Sequence, residues 1–193
     1  MLDIIAIFIG FVLTLVVVGL LVNNAEHFIV GYIWRQIPCV SSSRVLRRAV
    51  ATEIQKYKNV KSVCEIGSGY GGLARFVARK CNVDVVAVEN VWFTFAVSYV
   101  LSLFFCGNRV QHVCADAFEY LKNENLHFDI GLAYLGPKVN DELRDLMSRF
   151  DVLICLDVPM SNAKPVRVVD VGCGYTKFGK EKYTHKLFFY ENR

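Results

Sequence analysis

The chain lacks paired cysteines, clustered histidines, runs of basic residues, internal repeats and low-complexity tracts. Its seven cysteines are odd in number and contain no Cys-x-x-Cys spacing, which argues against a disulfide framework and against a zinc site. Most of Cys39, Cys64, Cys81, Cys106, Cys114, Cys155 and Cys173 lie in apolar stretches and read as small buried hydrophobes. The four histidines are isolated from one another, so none is a persuasive ligand or base, and no metal is expected. The formal net charge is only +4 and the lysines and arginines are scattered. Without a basic patch interleaved with aromatics, no nucleic-acid partner is expected.

Charge is also absent from residues 4–22, a run interrupted only by Gly10, Thr14 and Gly19. Nineteen residues at about 1.5 Å each reach roughly the 30 Å hydrocarbon thickness of a bilayer. A cleavable signal peptide needs a positive start and a small-residue cleavage site. Only Asp3 is charged before the run, and Leu21-Val22-Asn23-Asn24 offers no such site. The expectation is a retained single-pass anchor with the lipid bilayer as partner. Phe28, Tyr32 and Trp34 fit an interfacial belt, and Arg35, Arg44, Arg47 and Arg48 place the body on the cytoplasmic side or its organelle-interior equivalent. The predicted organisation is a transmembrane anchor at 1–24, a connector at 25–43 and one α/β domain at 44–193.

What the chain does have is the run Glu65-Ile66-Gly67-Ser68-Gly69-Tyr70-Gly71, entered from an apolar stretch and followed by a helical pattern over 72–81. Glycines at this spacing let the backbone turn sharply and approach a ligand that any Cβ would exclude. The acid at the head of the loop is unfavourable for a diphosphate and suited to a cationic amino-acid end. The next β-branched run, 83–88, ends in Glu89-Asn90, where a second parallel strand would place a carboxylate against ribose hydroxyls. A third, 110–114, leads into Ala115-Asp116-Ala117-Phe118, an acid suited to an adenine amino group with an aromatic beside it. Each carboxylate alone also reads as solvated or as a helix cap. Three at successive strand ends point together to S-adenosylmethionine rather than NAD.

A helix capped by Ser43 is expected over 44–57, with further strands at 128–134 and 152–156 and a helix over 141–149 between them. Residues 91–106 carry no charge and only Thr94, Ser98 and Ser102 as polar groups. They are short for a membrane span and fall where a crossover helix belongs, so the prediction is a helix covered on both faces, with membrane or another subunit outside. Asp170-Val171-Gly172-Cys173-Gly174 resembles a second cofactor loop, yet only nineteen residues follow Gly174. The expectation is a closing antiparallel pair, 165–171 and 187–190, with 172–182 as connecting loop.

This order of elements resembles a class I S-adenosylmethionine-dependent methyltransferase, which implies a Rossmann-like, seven-stranded sheet with helices on both faces, here preceded by a transmembrane helix. The hydrophobic start, Gln36-Ile37-Pro38-Cys39-Val40-Ser41-Ser42, the loop at Glu65 and Tyr134-Leu135-Gly136-Pro137 are similar to the small membrane-anchored lysine methyltransferases of the ATP synthase c-subunit and adenine nucleotide translocase, and to their bacterial relatives. The resemblance implies that Glu65, Gly67, Gly69 and Gly71 serve the methionine end, Glu89 the ribose and Asp116 the adenine, with Ser68, Asn90 and Ala117 also in the cofactor site. It also implies that Pro38 and Val40 form a lip, that Gly136 and Pro137 line the acceptor edge, and that an integral membrane protein lysine is the acceptor. Ser41 replaces a usual proline, Glu89 is followed by Asn90-Val91-Trp92 instead of Leu-Asn-Pro, and the next helix lacks the usual basic residues.

The chemistry expected of such a site is alignment and desolvation, with no dedicated base required if the amine arrives neutral. Tyr134 either orients the amine through its hydroxyl or is simply a strand-end aromatic. No Asn/Asp-Pro-Pro-Tyr signature for amino groups on bases is present. A small-molecule or lipid methyltransferase, and a non-catalytic membrane scaffold, are the alternatives.

Overall fold

Short runs of valine, isoleucine and leucine, bounded by polar turns, form seven strands in a computed structural model that describes residues 2–29, 41–105, 107–123, 125–175 and 182–191. They are β1 (Ser62–Ile66), β2 (Asp84–Glu89), β3 (Val110–Cys114), β4 (Phe128–Ala133), β5 (Phe150–Leu156), β6 (Arg167–Tyr175) and β7 (Lys182–Glu191). The sheet order is β3-β2-β1-β4-β5-β7-β6. The first five strands run parallel, and β7 is antiparallel to both β5 and β6. Helices α1 (Leu2–Ile29), α2 (Arg44–Ile54), α3 (Gly72–Val77), α4 (Trp92–Phe105), α5 (Ala117–Leu121) and α6 (Pro137–Glu142) complete the chain. By contacts it divides into two units, Met1–Cys39 and Val40–Arg193.

Period-two alternation sends successive side chains of each strand to opposite faces and so builds two cores. One holds Val63, Val85, Ile130 and Ile154 against Leu46, Val50 and Ile54 of α2 and Leu73 and Val77 of α3. The other holds Cys64, Val88, Leu153 and Cys155 with Leu121 of α5 and Leu143 beyond α6. Cys64 and Cys155 are buried, as small hydrophobes should be. Glu53, 4% exposed, ties α2 to β6 by pairing with Arg167 at 2.7 Å.

Several sequence expectations shift. The helix after the glycine loop ends at Val77 and continues as a π-helical turn over Ala78–Asn82. The helix expected over 141–149 is α6 followed by a 3-10 stretch, Leu143–Arg149, because Pro137 at the first turn starts it early. The tail glycine motif lies inside β6, where Asp170 is exposed, so it makes strand and not loop. The rest of the described chain covers α4 on one face, the polar one. Its polar groups Thr94, Ser98 and Ser102 are buried, while Leu103, Phe104 and Phe105 are 57%, 77% and 58% exposed. The buried side carries hydrogen bonds: His112 Nε2 lies 2.7 Å from Ser102 Oγ, and Nδ1 lies 3.3 Å from Ser98 Oγ.

α1 is a single helix whose described side chains cover residues 9–22 and 25, with Phe11 60% and Leu21 64% exposed. Among the described residues no helix is long and apolar enough to cross a membrane, so the structure does not bear out the transmembrane helix expected at 1–24. The side chains of Phe28, Tyr32 and Trp34 lie outside the described residues.

Candidate functional site

The strand order reverses between β1 and β4, which opens a crevice at the carboxyl ends of the parallel strands. The glycine loop leaves β1 at this point, and Tyr134 leaves β4 beside it. Gly67, Gly69 and Gly71 have φ of 70°, 53° and 65°, left-handed conformations that side chains strain. Close packing reinforces the requirement at two of them. A Cβ on Gly67 would come within 2.8 Å of Leu135 Cδ2, and one on Gly71 would collide with Ser98 Oγ.

The three carboxylates emerge from adjacent strands, each tied to backbone. Glu65, in β1, is 6% exposed and accepts from the Ala74 N–H at 2.8 Å. Burial pushes its carboxyl up to about 8, with Glu89 adding to the effect and the Ala74 N–H, Arg47 and Arg75 opposing it. Glu89, at the end of β2, accepts from Gly69 N at 2.7 Å and Val91 N at 2.8 Å, so it fastens the glycine loop to the start of α4. Asp116 follows β3 and caps α5, its Oδ1 accepting from Phe118 N and Glu119 N. Glu89 and Asp116 therefore have structural work of their own. Asn90 is exposed, Ala117 opens α5, Gly136 caps α6, and Pro137 begins it.

Ser68 is 7% exposed and its Oγ has no hydrogen-bond partner, an orphaned polar atom in the middle of the loop. Arg47, read from the sequence as a juxtamembrane charge, lies beside the glycine loop. Its guanidinium lies about 3 Å from where a Gly72 Cβ would stand, and its Nε donates to Ser42 O and Oγ. Pro38 and Val40 lie outside the described residues.

At the acceptor edge the Tyr134 hydroxyl donates to Asp157 Oδ2 at 2.9 Å, and His185 Nδ1 lies 2.8 Å from the same oxygen. Asp157 directly follows β5 and holds φ of 62°. Asn140 Nδ2 donates to Val158 O at 2.6 Å, securing this turn to α6.

No family model matches the chain, and no curated protein matches it. Solved structures do. An RNA methyltransferase from Salinibacter ruber, in complex with S-adenosyl-L-homocysteine, has a TM-score of 0.60 at 19% identity, covering 79% of this chain and 93% of that one. Precorrin-6y C5,15-methyltransferase from Geobacter metallireducens GS-15 has a TM-score of 0.60 at 15% identity, covering 80% and 91%. TrmK from M. capricolum, with its natural cofactor product S-adenosyl-homocysteine, has a TM-score of 0.56 at 11% identity, covering 74% and 67%.

The chain therefore has the seven-stranded, Rossmann-like fold of these S-adenosylmethionine-dependent methyltransferases. The neighbours also correct the partners expected from sequence, namely a bilayer and an integral membrane protein with no nucleic acid. An RNA methyltransferase shares this fold, so scattered basic residues do not exclude RNA. Arg48 and Lys80, far apart in sequence, line one surface groove together with Phe76.

Proposed function

We propose that the unit Val40–Arg193 binds S-adenosylmethionine and directs its methyl group to a nitrogen or oxygen nucleophile. The observation that carries this reading is three carboxylates, Glu65, Glu89 and Asp116, at the ends of three successive strands around a loop with three left-handed glycines. The residues present fit the cofactor's functional groups. Glu65 would take the ammonium of the methionine end and Arg47 its carboxylate, Ser68 Oγ would gain the partner it lacks, Glu89 would meet the ribose, and Asp116 with Ala117 the adenine. When bound, the sulfonium supplies an activated methyl group; the chain's residues orient it and exclude water.

RNA is the first acceptor class to test, since it is named for a structural neighbour. A lysine side chain is the second reading, supported by Tyr134, whose hydroxyl is anchored by Asp157 at the acceptor edge. Attachment through the uncharged run 4–22, with the folded unit on the cytoplasmic or organelle-interior side, belongs to the same proposal and is checked by fractionating cells that express the full chain.

Calorimetry of the full chain with S-adenosylmethionine tests the central claim. Glu89→Ala, which removes a buried carboxylate, is expected to weaken binding by ~1.5–3 kcal/mol, more than tenfold. Asp170→Ala is expected to bind as the wild type does, because Asp170 sits exposed on β6. Wild-type protein that gives no binding heat would refute the reading. Incubation with tritiated cofactor and, separately, total RNA and total cell protein identifies the acceptor.

A further inference from the structure

Four side chains from distant parts of the sequence form one hydrogen-bonded line that begins at the acceptor edge, passes through the buried His185 and ends at the half-buried Ser43. Tyr134 follows β4 and Asp157 follows the adjacent β5. His185 lies on β7 and is 1% exposed, and Ser43 caps α2. The Tyr134 O–H donates to Asp157 Oδ2 at 2.9 Å, and His185 Nδ1 approaches that oxygen at 2.8 Å. Ser43 Oγ lies 3.0 Å from His185 Nε2 and accepts the Leu46 N–H at 3.1 Å.

The hydrogen bonds assign the direction of the line. The Asp157 carboxylate only accepts, so His185 Nδ1 carries the ring hydrogen and donates to it. Nε2 of the neutral ring then accepts the Ser43 hydroxyl hydrogen, while Ser43 Oγ accepts from Leu46 N. Asp157 is the acceptor common to both donors. It is held by two further bonds, its N–H to Lys186 O at 2.8 Å and its Oδ1 from Lys186 N at 3.0 Å. Its backbone φ of 62° is unusual outside glycine. A strained aspartate fixed in this way beside a ligand crevice is poorly explained by packing alone.

We propose that Tyr134 is the catalytic residue that receives the acceptor's hydrogen bond, and that Asp157, held in place by His185 and Ser43, receives the proton that the acceptor loses on methylation. The inference rests on the methyl-transfer reading. For each methyl gained, a new N–C or O–C bond would replace the sulfonium's C–S bond, whose electron pair stays on sulfur, and one N–H or O–H proton leaves the acceptor, which keeps that bond's electron pair. The proton passes to Tyr134 Oη as Tyr134's own hydroxyl proton passes to Asp157 Oδ2. Asp157, 20% exposed, then returns the proton to solvent. No oxidant or reductant is involved. His185 and Ser43 are positioning residues.

The test uses the full chain and its Tyr134→Phe, Asp157→Asn and His185→Gln variants; asparagine tolerates the left-handed backbone at 157. Calorimetry with S-adenosylmethionine is expected to give wild-type affinity in all three. Turnover on the acceptor fraction labelled by tritiated cofactor is expected to fall about 100-fold in Tyr134→Phe. It is also expected to fall in Asp157→Asn, which keeps the side chain's size and removes its proton-accepting carboxylate. Absence of cofactor heat in the wild type sinks the methyl-transfer reading and this inference together. Normal heat with undiminished turnover in Tyr134→Phe overturns this inference alone. Nitrogen-15 spectra of the imidazoles, without cofactor, read the line directly. His185 is expected to be protonated at Nδ1, with Ser43→Ala shifting its Nε2 signal, and an Nε2–H tautomer overturns the proposal.

Discussion

Glu65 is a carboxylate whose ionisation is set by what lies beside it. With its carboxyl raised to about 8 from an ordinary 4.5, the folded chain holds a proton there that the unfolded chain releases. Stability is therefore expected to fall as pH rises from about 4.5 to about 8, and Glu65→Gln should flatten that limb of a thermal-melt series. A bound ammonium would favour the carboxylate, so binding at neutral pH is expected to release a proton. Calorimetry in two buffers of different ionisation enthalpy should give different heats, and affinity should rise towards pH 8; identical heats would show that Glu65 is not the ammonium's partner. The Gln variant should thus gain stability above neutrality and lose affinity, the usual trade-off at a binding site. Gly71 gives a second residue-scale prediction. Gly71→Ala meets both a left-handed φ and Ser98 Oγ, and is expected to destabilise the fold by about 1–3 kcal/mol in urea titrations. A loss under 0.5 kcal/mol would mean that the loop relaxes freely.

At the scale of elements, α4 has its polarity reversed. Thr94, Ser98 and Ser102 recur every four residues, one helical stripe, and that stripe is buried against β3. The spacing was legible in the sequence; its direction was not, because an uncharged helix reads as buried all round until its neighbours are known. Parallel strands, by contrast, show as β-branched runs with acids at their ends, which is why Glu65, Glu89 and Asp116 were found. The line Tyr134, Asp157, His185 and Ser43 was out of reach, since its members come from three strand ends or strands and a helix cap that only the sheet order brings together. The buried side of α4 carries a testable charge effect. His112 is held down to about 4 by burial, with Arg75 adding to it, whereas an unfolded histidine titrates near 6.5. The unfolded chain therefore binds the extra proton between these values, and stability present above pH 6.5 is lost as pH falls towards 4. His112→Gln should reduce that acid sensitivity in melts at pH 4.5 and 7. On the outer side, Phe104→Ser, at a site 77% exposed, should leave the melting temperature unchanged; a large drop would reveal a partner that covers this face.

For the whole molecule, the question is how much chain the fold needs. All seven strands, both cores and every residue of the candidate site except Pro38 belong to the unit that begins at Val40. The cut that matters lies a few residues further on. Ser43 is the N-cap of α2, accepting the Leu46 N–H, and it supplies the partner of the buried His185 Nε2. A chain starting at Val40 keeps both contacts, and it also keeps the Glu53–Arg167 pair that ties α2 to the sheet's far edge. A chain starting at Arg44 loses the cap, at a cost of about 1 kcal/mol. It further removes the Ser43 Oγ contact at 3.0 Å from the buried His185 Nε2, a loss of about 0.5–1.5 kcal/mol more. The expected outcome is that residues 40–193 unfold in one cooperative transition and bind S-adenosylmethionine as the full chain does, while residues 44–193 unfold at lower urea with an unchanged slope. If the two truncated chains prove equally stable, Ser43 is not the anchor of α2. If residues 40–193 fail to fold, the amino-terminal unit contributes to the domain in a way that its separation by contacts does not suggest.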